Sequence, residues 1–495
     1  MRKSGILLPI SSIPSRYGIG TFSKEAYEFV DFLQMAGQKV WQILPLGSTG
    51  YGDSPYQSFS TFAGNPYYID LEQLTKLGYL TENECEAYDF GSNEDTIDYE
   101  KIYRSRFKIL RKAFNRALAD EGLNQDAEYK RFIEKNSYWL EDYALYMAIK
   151  NSFDGVCWIE WDEDIRLRKE KAMKAYREKY KTDVEFYYFQ QYIFFKQWKA
   201  LKAYANEKGI EIVGDIPIYV AFDSSDTWAG PELFQLDETR TPIAVAGCPP
   251  DAFSDTGQLW GNPLYEWGYH EKTGFDWWIN RIAYCYELYD LVRIDHFRGF
   301  DEYWSIPYGN KTAEIGSWRK GPGYLIFEAI KNTLGDRKVI AEDLGFLTES
   351  VIALVEKTGY PGMKILQFAF DSREESDYLP HNYSNNCVVY TGTHDNDTTL
   401  GWYTSLPKAD RLFADKYMNI REDEEEVEWE FIRAAISSVA DTAIIPIQDY
   451  LGLDERARIN IPSTVGNNWK WRMKKDECTE ELAERIRDMS KLYGR

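Results

Sequence analysis

The chain of 495 residues carries a formal charge of −22, from 80 acidic and 58 basic side chains. That excess disfavours nucleic acid or an anionic membrane as a partner and suits a soluble protein with a neutral ligand. With 44% hydrophobic residues, the length allows one large barrel with insertions or a few ordinary domains.

The first apolar run, residues 5–9, is followed by Ser11-Ser12 and is too short for a signal peptide. Ser23 caps a helical pattern with Ala26, Phe29, Val30 and Leu33 on one face, and Gly37 stops it. Further apolar runs at 40–45, 211–217, 291–295, 338–342, 363–368, 387–391 and 443–447 read as buried strands. About 165 residues separate the second and third runs, against a βα repeat of roughly 30. Amphipathic patterns at 98–120 and 143–151 and a charged stretch at 166–181 place a helical insertion there, within 51–210. Residues 221–283, rich in Pro, Gly, Asp and Trp, read as loop, with 247–265 arching over a cleft. Thr348 or Ser350 starts a helix containing Val351, Leu354 and Val355, ended by Gly359 and Pro361.

After the last strand about 45 residues remain, including a helix at 480–493. These are too few for a separate sheet domain of about 100 residues. The expected fold is α/β: a (β/α)8 TIM barrel over 1–495, with large helical and loop insertions and no C-terminal β-sandwich. Six scattered cysteines without a CxxC argue against a disulfide framework or a zinc site and fit a reducing cytoplasm. No stretch approaches the roughly 20 apolar residues of a membrane span. Much of the load of 16 Trp, 37 Tyr and 26 Phe must be core, and a surplus often lines a sugar-binding cleft, where rings pack on pyranose faces.

Three carboxylates close three of the strands: Asp295 in LVRIDHFRGF, Glu342 in KVIAEDLGF and Asp395 in VVYTGTHDND. An acid after an apolar run is usually a cap or a loop residue. Three in strand order, at the barrel end where reactive groups gather, point instead to a common opening. Two carboxyl groups across such an opening cleave or form a glycosidic bond, one as nucleophile and one as proton carrier. Arg293 lies two residues before Asp295 and so shares its side of the strand, either keeping it ionised or forming a plain structural pair. His394 donates to a sugar hydroxyl or is a satisfied core group, and His296 faces either way. Of the adjacent Glu342 and Asp343 only one faces the mouth; Glu342 is taken as the acid/base and Asp343 as structural. Asp223 and Asp226 read as caps or turn residues, and the histidines lack metal-ligand spacing.

The chain resembles the 4-alpha-glucanotransferases, or amylomaltases, of the alpha-amylase superfamily, from its first strand to about Trp471. The superfamily pattern is carried by Asp215 in GDIPIYV, Arg293 and Asp295 in RIDHFRG, Glu342 in AEDLG, and His394 with Asp395 in THDN. Longer strings are more specific: PLGSTGYGDSPYQSFSTFAGNP (45–66), GCPPDAFSDTGQLWGNPLY (247–265) and RINIPST (458–464). Ser48 departs from the proline of many relatives.

The resemblance implies Asp295 as nucleophile, Glu342 as general acid/base and Asp395 as transition-state stabiliser, with the first two carboxyl groups about 5–5.5 Å apart. It implies Asp215, Arg293 and His394 as supports around the reacting glucose, Tyr56 beneath its ring, and Trp260 on the acceptor sugar. Asn460 and Ser463 would reach substrate hydroxyls, and Phe253 with Trp260 would shield the intermediate. Plain loop packing is the other reading of Tyr56 and Trp260. The implied partners are maltooligosaccharides and alpha-1,4-glucans, with no cofactor and no nucleotide-sugar donor. A hydrolase with water as acceptor and a non-catalytic glucan-binding protein are the competing readings.

Overall fold

The computed structural model describes residues 2–495 apart from Tyr51, Asp120, Glu121, 251–253, Phe346, Glu422 and Asp423, and apart from the side chain of Asn124. Every apolar run read from the sequence overlaps a strand: β1 (Lys3–Leu7), β2 (Val40–Gln42), β3 (Glu211–Pro217), β4 (Leu291–Asp295), β5 (Val339–Ala341), β6 (Gly362–Ile365), β7 (Cys387–Tyr390) and β8 (Thr442–Pro446). They form one parallel sheet in the order β6-β7-β8-β1-β2-β3-β4-β5. The architecture is a (β/α)8 barrel. Helices sheathe it, among them Lys24–Met35 after β1, Tyr324–Leu334 before β5 and Glu349–Thr358 before β6. Thr348, not Ser350, caps the last of these by accepting from Val351 N–H. The β6–β7 crossover has only two short 3₁₀ turns, Leu366–Phe368 and Pro380–Asn382, so the sixth strand ends three residues before the apolar run does.

The ring closes at β5 and β6 by different means. Ala341 N–H donates to Pro361 O at 3.0 Å, and Met363 N–H donates to the Asp343 carboxylate at 2.7 Å. Asp343 is thus part of the wall, not of the mouth. Its carboxyl occupies the space beside Gly362, where a Cβ would lie 2.2 Å from Oδ2.

Between β2 and β3 the chain forms helices Tyr99–Ala119, Ala127–Ser152, Glu170–Lys179 and Lys181–Glu207. The last begins in the insertion and ends on the barrel, where Trp198 Nε1 donates to Leu288 O at 3.1 Å. It is buried on almost every side, from Phe186 through Phe195. Two of its glutamines fasten the segment after β2. Gln191 makes paired amide bonds with Gly64 (2.8 and 2.9 Å), and Gln197 does so with Asp70 (2.7 and 3.1 Å). Gly64 must lack a side chain because the Phe194 ring lies 2.2 Å from its Cβ position.

Residues 221–283 are not simply loop. They supply strands Ala244–Cys248 and Gln258–Pro263, which join Glu302–Pro307 and Ser317–Lys320 in an antiparallel sheet beside the barrel mouth. They also form helix Asp276–Leu288. Asp223 and Asp226 act as braces: Asp223 takes the buried Lys150 ammonium at 2.5 Å, and Asp226 accepts from Thr61 N–H at 2.8 Å. Among the described residues no helix is long and apolar enough to cross a membrane. Replacing Gly362 with Ala is expected to push Asp343 off the β5–β6 seam and to cost about 1–3 kcal/mol, measured as a lower urea midpoint; an unchanged midpoint would show that the seam absorbs the methyl group.

Candidate active site

The site is built on the pairing of β3 with β4. Asp215 stands directly opposite Arg293 in that register, and Pro217 opposite Asp295. Asp215 and Arg293 are almost wholly buried, at 0% and 3% exposure. Arg293 Nη1 lies 2.7 and 2.8 Å from the Asp215 oxygens and 3.0 Å from Asp295 Oδ1. Its Nε points across the barrel to Met363 Sδ at 3.3 Å. One guanidinium therefore serves two carboxylates on neighbouring strands.

Asp295 feels opposed effects. Burial raises its pKa, Arg293 lowers it and Asp395 raises it, and the net direction is upward. Glu342 follows β5 and is tied to β4: its N–H donates to Ile294 O at 3.1 Å, while its Oε2 accepts from His296 N–H at 2.6 Å. Its Oε1 accepts from Leu344 N–H at 2.8 Å. Burial first, and then the Asp295 charge, push the Glu342 carboxyl up to about 7, against the pull of Arg293 and those two N–H groups. Two carboxyl groups on adjacent strand ends thus have different neighbours: a guanidinium 3.0 Å away favours the ionised form of Asp295, while burial keeps a proton on Glu342 further up the pH scale than on an ordinary glutamate.

The third acid follows β7. Asp395 Oδ1 accepts from Asn460 Nδ2 at 2.6 Å, and its carbonyl accepts from Arg458 Nη2 at 2.7 Å. His394 Nε2 lies 3.4 Å from Asp395 Oδ2 and 2.9 Å from the Tyr56 hydroxyl. Tyr56 donates its single proton to Asp215 Oδ2 at 2.9 Å. His394 Nε2 must then carry a proton. Burial lowers the His394 pKa, so the ring is neutral with its proton on that nitrogen. The Tyr56 and His394 rings stack at 5.2 Å and 18°, and Trp469 leans on both at 5.8 and 5.9 Å.

Trp260, on strand Gln258–Pro263, meets the His296 ring edge to face at 4.7 Å and 87°. Gln57 Nε2 donates to Asn262 on the same strand at 3.0 Å, linking it to the segment that carries Tyr56. Asp215, Arg293, Asp295, Tyr56, His394, Asp395 and Asn460 therefore form one network, with Glu342 joined through the backbone of β4. Ser463 is apart from it. It sits on an exposed turn with a left-handed φ of 63° and makes no side-chain hydrogen bond with the described residues. Phe253 lies outside the described residues.

A sequence profile of the 4-alpha-glucanotransferases matches residues 8–478. The chain belongs to that family. A 4-alpha-glucanotransferase of Clostridium butyricum is 53% identical over 488 residues, covering 98% of this chain and 99% of the relative. That of Streptococcus pneumoniae is 51% identical over 496 residues, covering 100% and 97%. Among solved structures, the amylomaltase of Streptococcus agalactiae in complex with acarbose superposes with a TM-score of 0.97 at 43% identity, over all of both chains.

Four supports in this member of the family carry little or no signal of their role in the sequence. His296 acts through its backbone, which takes a left-handed φ of 53° to aim its N–H at Glu342. Trp469 completes the ring stack. Arg458 was visible only as part of RINIPST. Asp449, buried after β8, accepts from Thr391 Oγ1 (2.5 Å), Thr399 N–H (2.8 Å) and Thr399 Oγ1 (2.7 Å), and so grips both ends of the turn that carries His394 and Asp395. Removing Asp215 would leave Arg293 with Asp295 alone in a dry interior. Asp215→Ala is expected to destabilise the protein by roughly 3–5 kcal/mol, read by urea unfolding; a loss below 1 kcal/mol would show that Asp295 alone suffices to pair Arg293.

Proposed function

We propose that the chain moves a segment of an alpha-1,4-glucan to the 4-hydroxyl of an acceptor glucan or glucose, with net retention, through a covalent glycosyl-Asp295 intermediate. The observation that carries this reading is a pair of carboxyl groups with different neighbours: Asp295, 3.0 Å from the Arg293 guanidinium, and Glu342, whose pKa burial raises to about 7. Protonated Glu342 gives its proton to the glycosidic oxygen while Asp295 attacks the anomeric carbon. The N–H groups of His296 and Leu344 then stabilise the Glu342 carboxylate that forms. The leaving glucan departs, and Glu342 takes the proton of the incoming 4-hydroxyl as that oxygen attacks the same carbon. Two inversions leave the configuration unchanged.

Asp215, Asp295 and Asp395 outnumber Arg293 around the reacting sugar, so the positive charge that develops at the anomeric carbon meets a net negative site. Asp395, fixed by Asn460, holds hydroxyls of the distorted ring, and Tyr56 lies beneath it. Trp260 packs on the acceptor-side sugar. An acceptor held there competes with water for the intermediate through position rather than reactivity. The whole chain acts as one catalytic unit, in which the 51–210 insertion braces the segment bearing Tyr56 and the 221–283 insertion supplies Trp260. Ser463, on its exposed turn outside that network, is assigned a contact to a substrate hydroxyl.

Incubation with maltotriose is expected to give glucose and a ladder of longer maltodextrins, read by chromatography; shortened products alone would make water the acceptor. Asp295→Asn should lower turnover by roughly 10⁴-fold or more while leaving maltodextrin binding in place, and a variant of near wild-type rate would remove Asp295 as nucleophile. The pH profile of kcat/KM follows from the two carboxyls. Glu342 works protonated, so activity falls as pH rises through about 7. Asp295 works ionised, so activity falls on the acid side at a pH above the ordinary aspartate value of 3.8. An alkaline limb that appears only in the range of tyrosine or lysine would exclude Glu342 as the proton donor.

A further inference from the structure

A cleft of about 460 Å³ lies behind the segment that carries Tyr56, between helices Ala127–Ser152 and Asp276–Leu288. None of Asp295, Glu342 and Asp395 lines it. Its size falls within the roughly 300–1,000 Å³ of small-ligand sites. Its aromatic lining is unusual for a surface. Tyr138 is 57% exposed at the rim. Trp277 is wedged against Tyr265 (5.8 Å) and Trp278 (5.6 Å, 86°) yet remains partly open. Trp139 and Phe62 stack at 6.2 Å and 20° deeper in.

Two exposed polar groups sit among these rings without a partner in the described residues. The Asn280 amide and the Asp276 carboxylate line the cleft, and neither makes a side-chain hydrogen bond or ion pair with the described residues. Helix Asp276–Leu288 opens there without a capping side chain. The acids oppose a phosphate or another anion, and among the described residues no cluster of ligands could hold a metal ion. A neutral polyhydroxylated ring meets both requirements: its C–H faces pack on the aromatic rings, and its hydroxyls donate to carboxylate and accept from amide N–H.

We propose that this cleft is a second glucan-binding site, which holds one stretch of a long alpha-1,4-glucan while another stretch occupies the barrel mouth. The proposal rests on the transferase reading for its choice of ligand. Ser60 and Phe62 line both this cleft and the small cavity behind Tyr56 and Asp215, so a single segment forms a wall of each. Two-point attachment raises the local concentration of long chains at the mouth and gives a trisaccharide nothing.

The test uses Tyr138→Ala and Asn280→Ala, both on exposed positions, with Trp277→Ala as a third variant because its packing against Tyr265 adds a folding cost. The ratio of kcat/KM on amylose to kcat/KM on maltotriose is expected to fall about fivefold or more in the Tyr138 and Asn280 variants. In a gel containing amylose, the Asp295→Asn protein should be retarded, and less so when either substitution is added. An unchanged ratio and unchanged retardation overturn the proposal, as does an equal loss on both substrates, which would make the cleft a structural feature. A wild-type protein that forms no longer chains from maltotriose would sink the transferase reading alone, since the gel still reports whether the cleft holds glucan.

Discussion

The structure turns on a guanidinium buried inside a barrel. Arg293 has almost no contact with solvent, and a lone charge in that position would cost several kcal/mol. The barrel can keep it only by supplying carboxylates within reach, and it supplies two, from β3 and from the end of β4. The pairing fixes the β3–β4 register, because a slip of one residue would turn Asp215 away from Arg293. It also determines what sits above it. Asp215 accepts a hydrogen bond from the Tyr56 hydroxyl, the Tyr56 oxygen accepts one from His394 Nε2–H, and His394 stands beside Asp395. The groups that would handle the sugar are thus arranged by the same charges that must be neutralised for the chain to fold.

The insertions extend that arrangement outward. Tyr56 belongs to a segment with little regular structure, and such a segment holds its shape only where its backbone groups find partners. Helix Lys181–Glu207 provides them with two glutamine side chains, each reading one residue's N–H and C=O as a neighbouring strand would. The antiparallel sheet does the equivalent on the other side of the mouth, bringing Trp260 onto His296. The barrel positions the acids, and its additions position the rings.

How much of this was legible follows from burial. Strands covered on both faces appear as plain apolar runs, so all eight could be read, and the acids were visible because Asp295 and Glu342 end such runs and Asp395 follows one by four residues. Helix Lys181–Glu207 gave no clean helical stripe because its stretch from Phe186 through Phe195 is enclosed on nearly every side and has no polar face to alternate with. The antiparallel sheet was hidden for another reason: its strands come from either side of β4, and no local pattern announces a partner about 60 residues away. The backbone of His296 and the carboxylate of Asp449 were invisible in principle, since an N–H direction and a buried acceptor are properties of the folded chain. Asn460 was reached only through the resemblance carried by RINIPST.

The seam between β5 and β6 has one further implication. It is the joint without a strand ladder, at the two ends of the sheet order, so opening the wall there breaks few backbone hydrogen bonds. Glu342 begins one residue beyond β5, yet its N–H and one carboxyl oxygen are bound by Ile294 and His296, on the side of β4. Loosening of the seam would therefore carry Glu342 along with Asp295 instead of pulling them apart. The barrel can breathe at its weakest joint without separating the two acids.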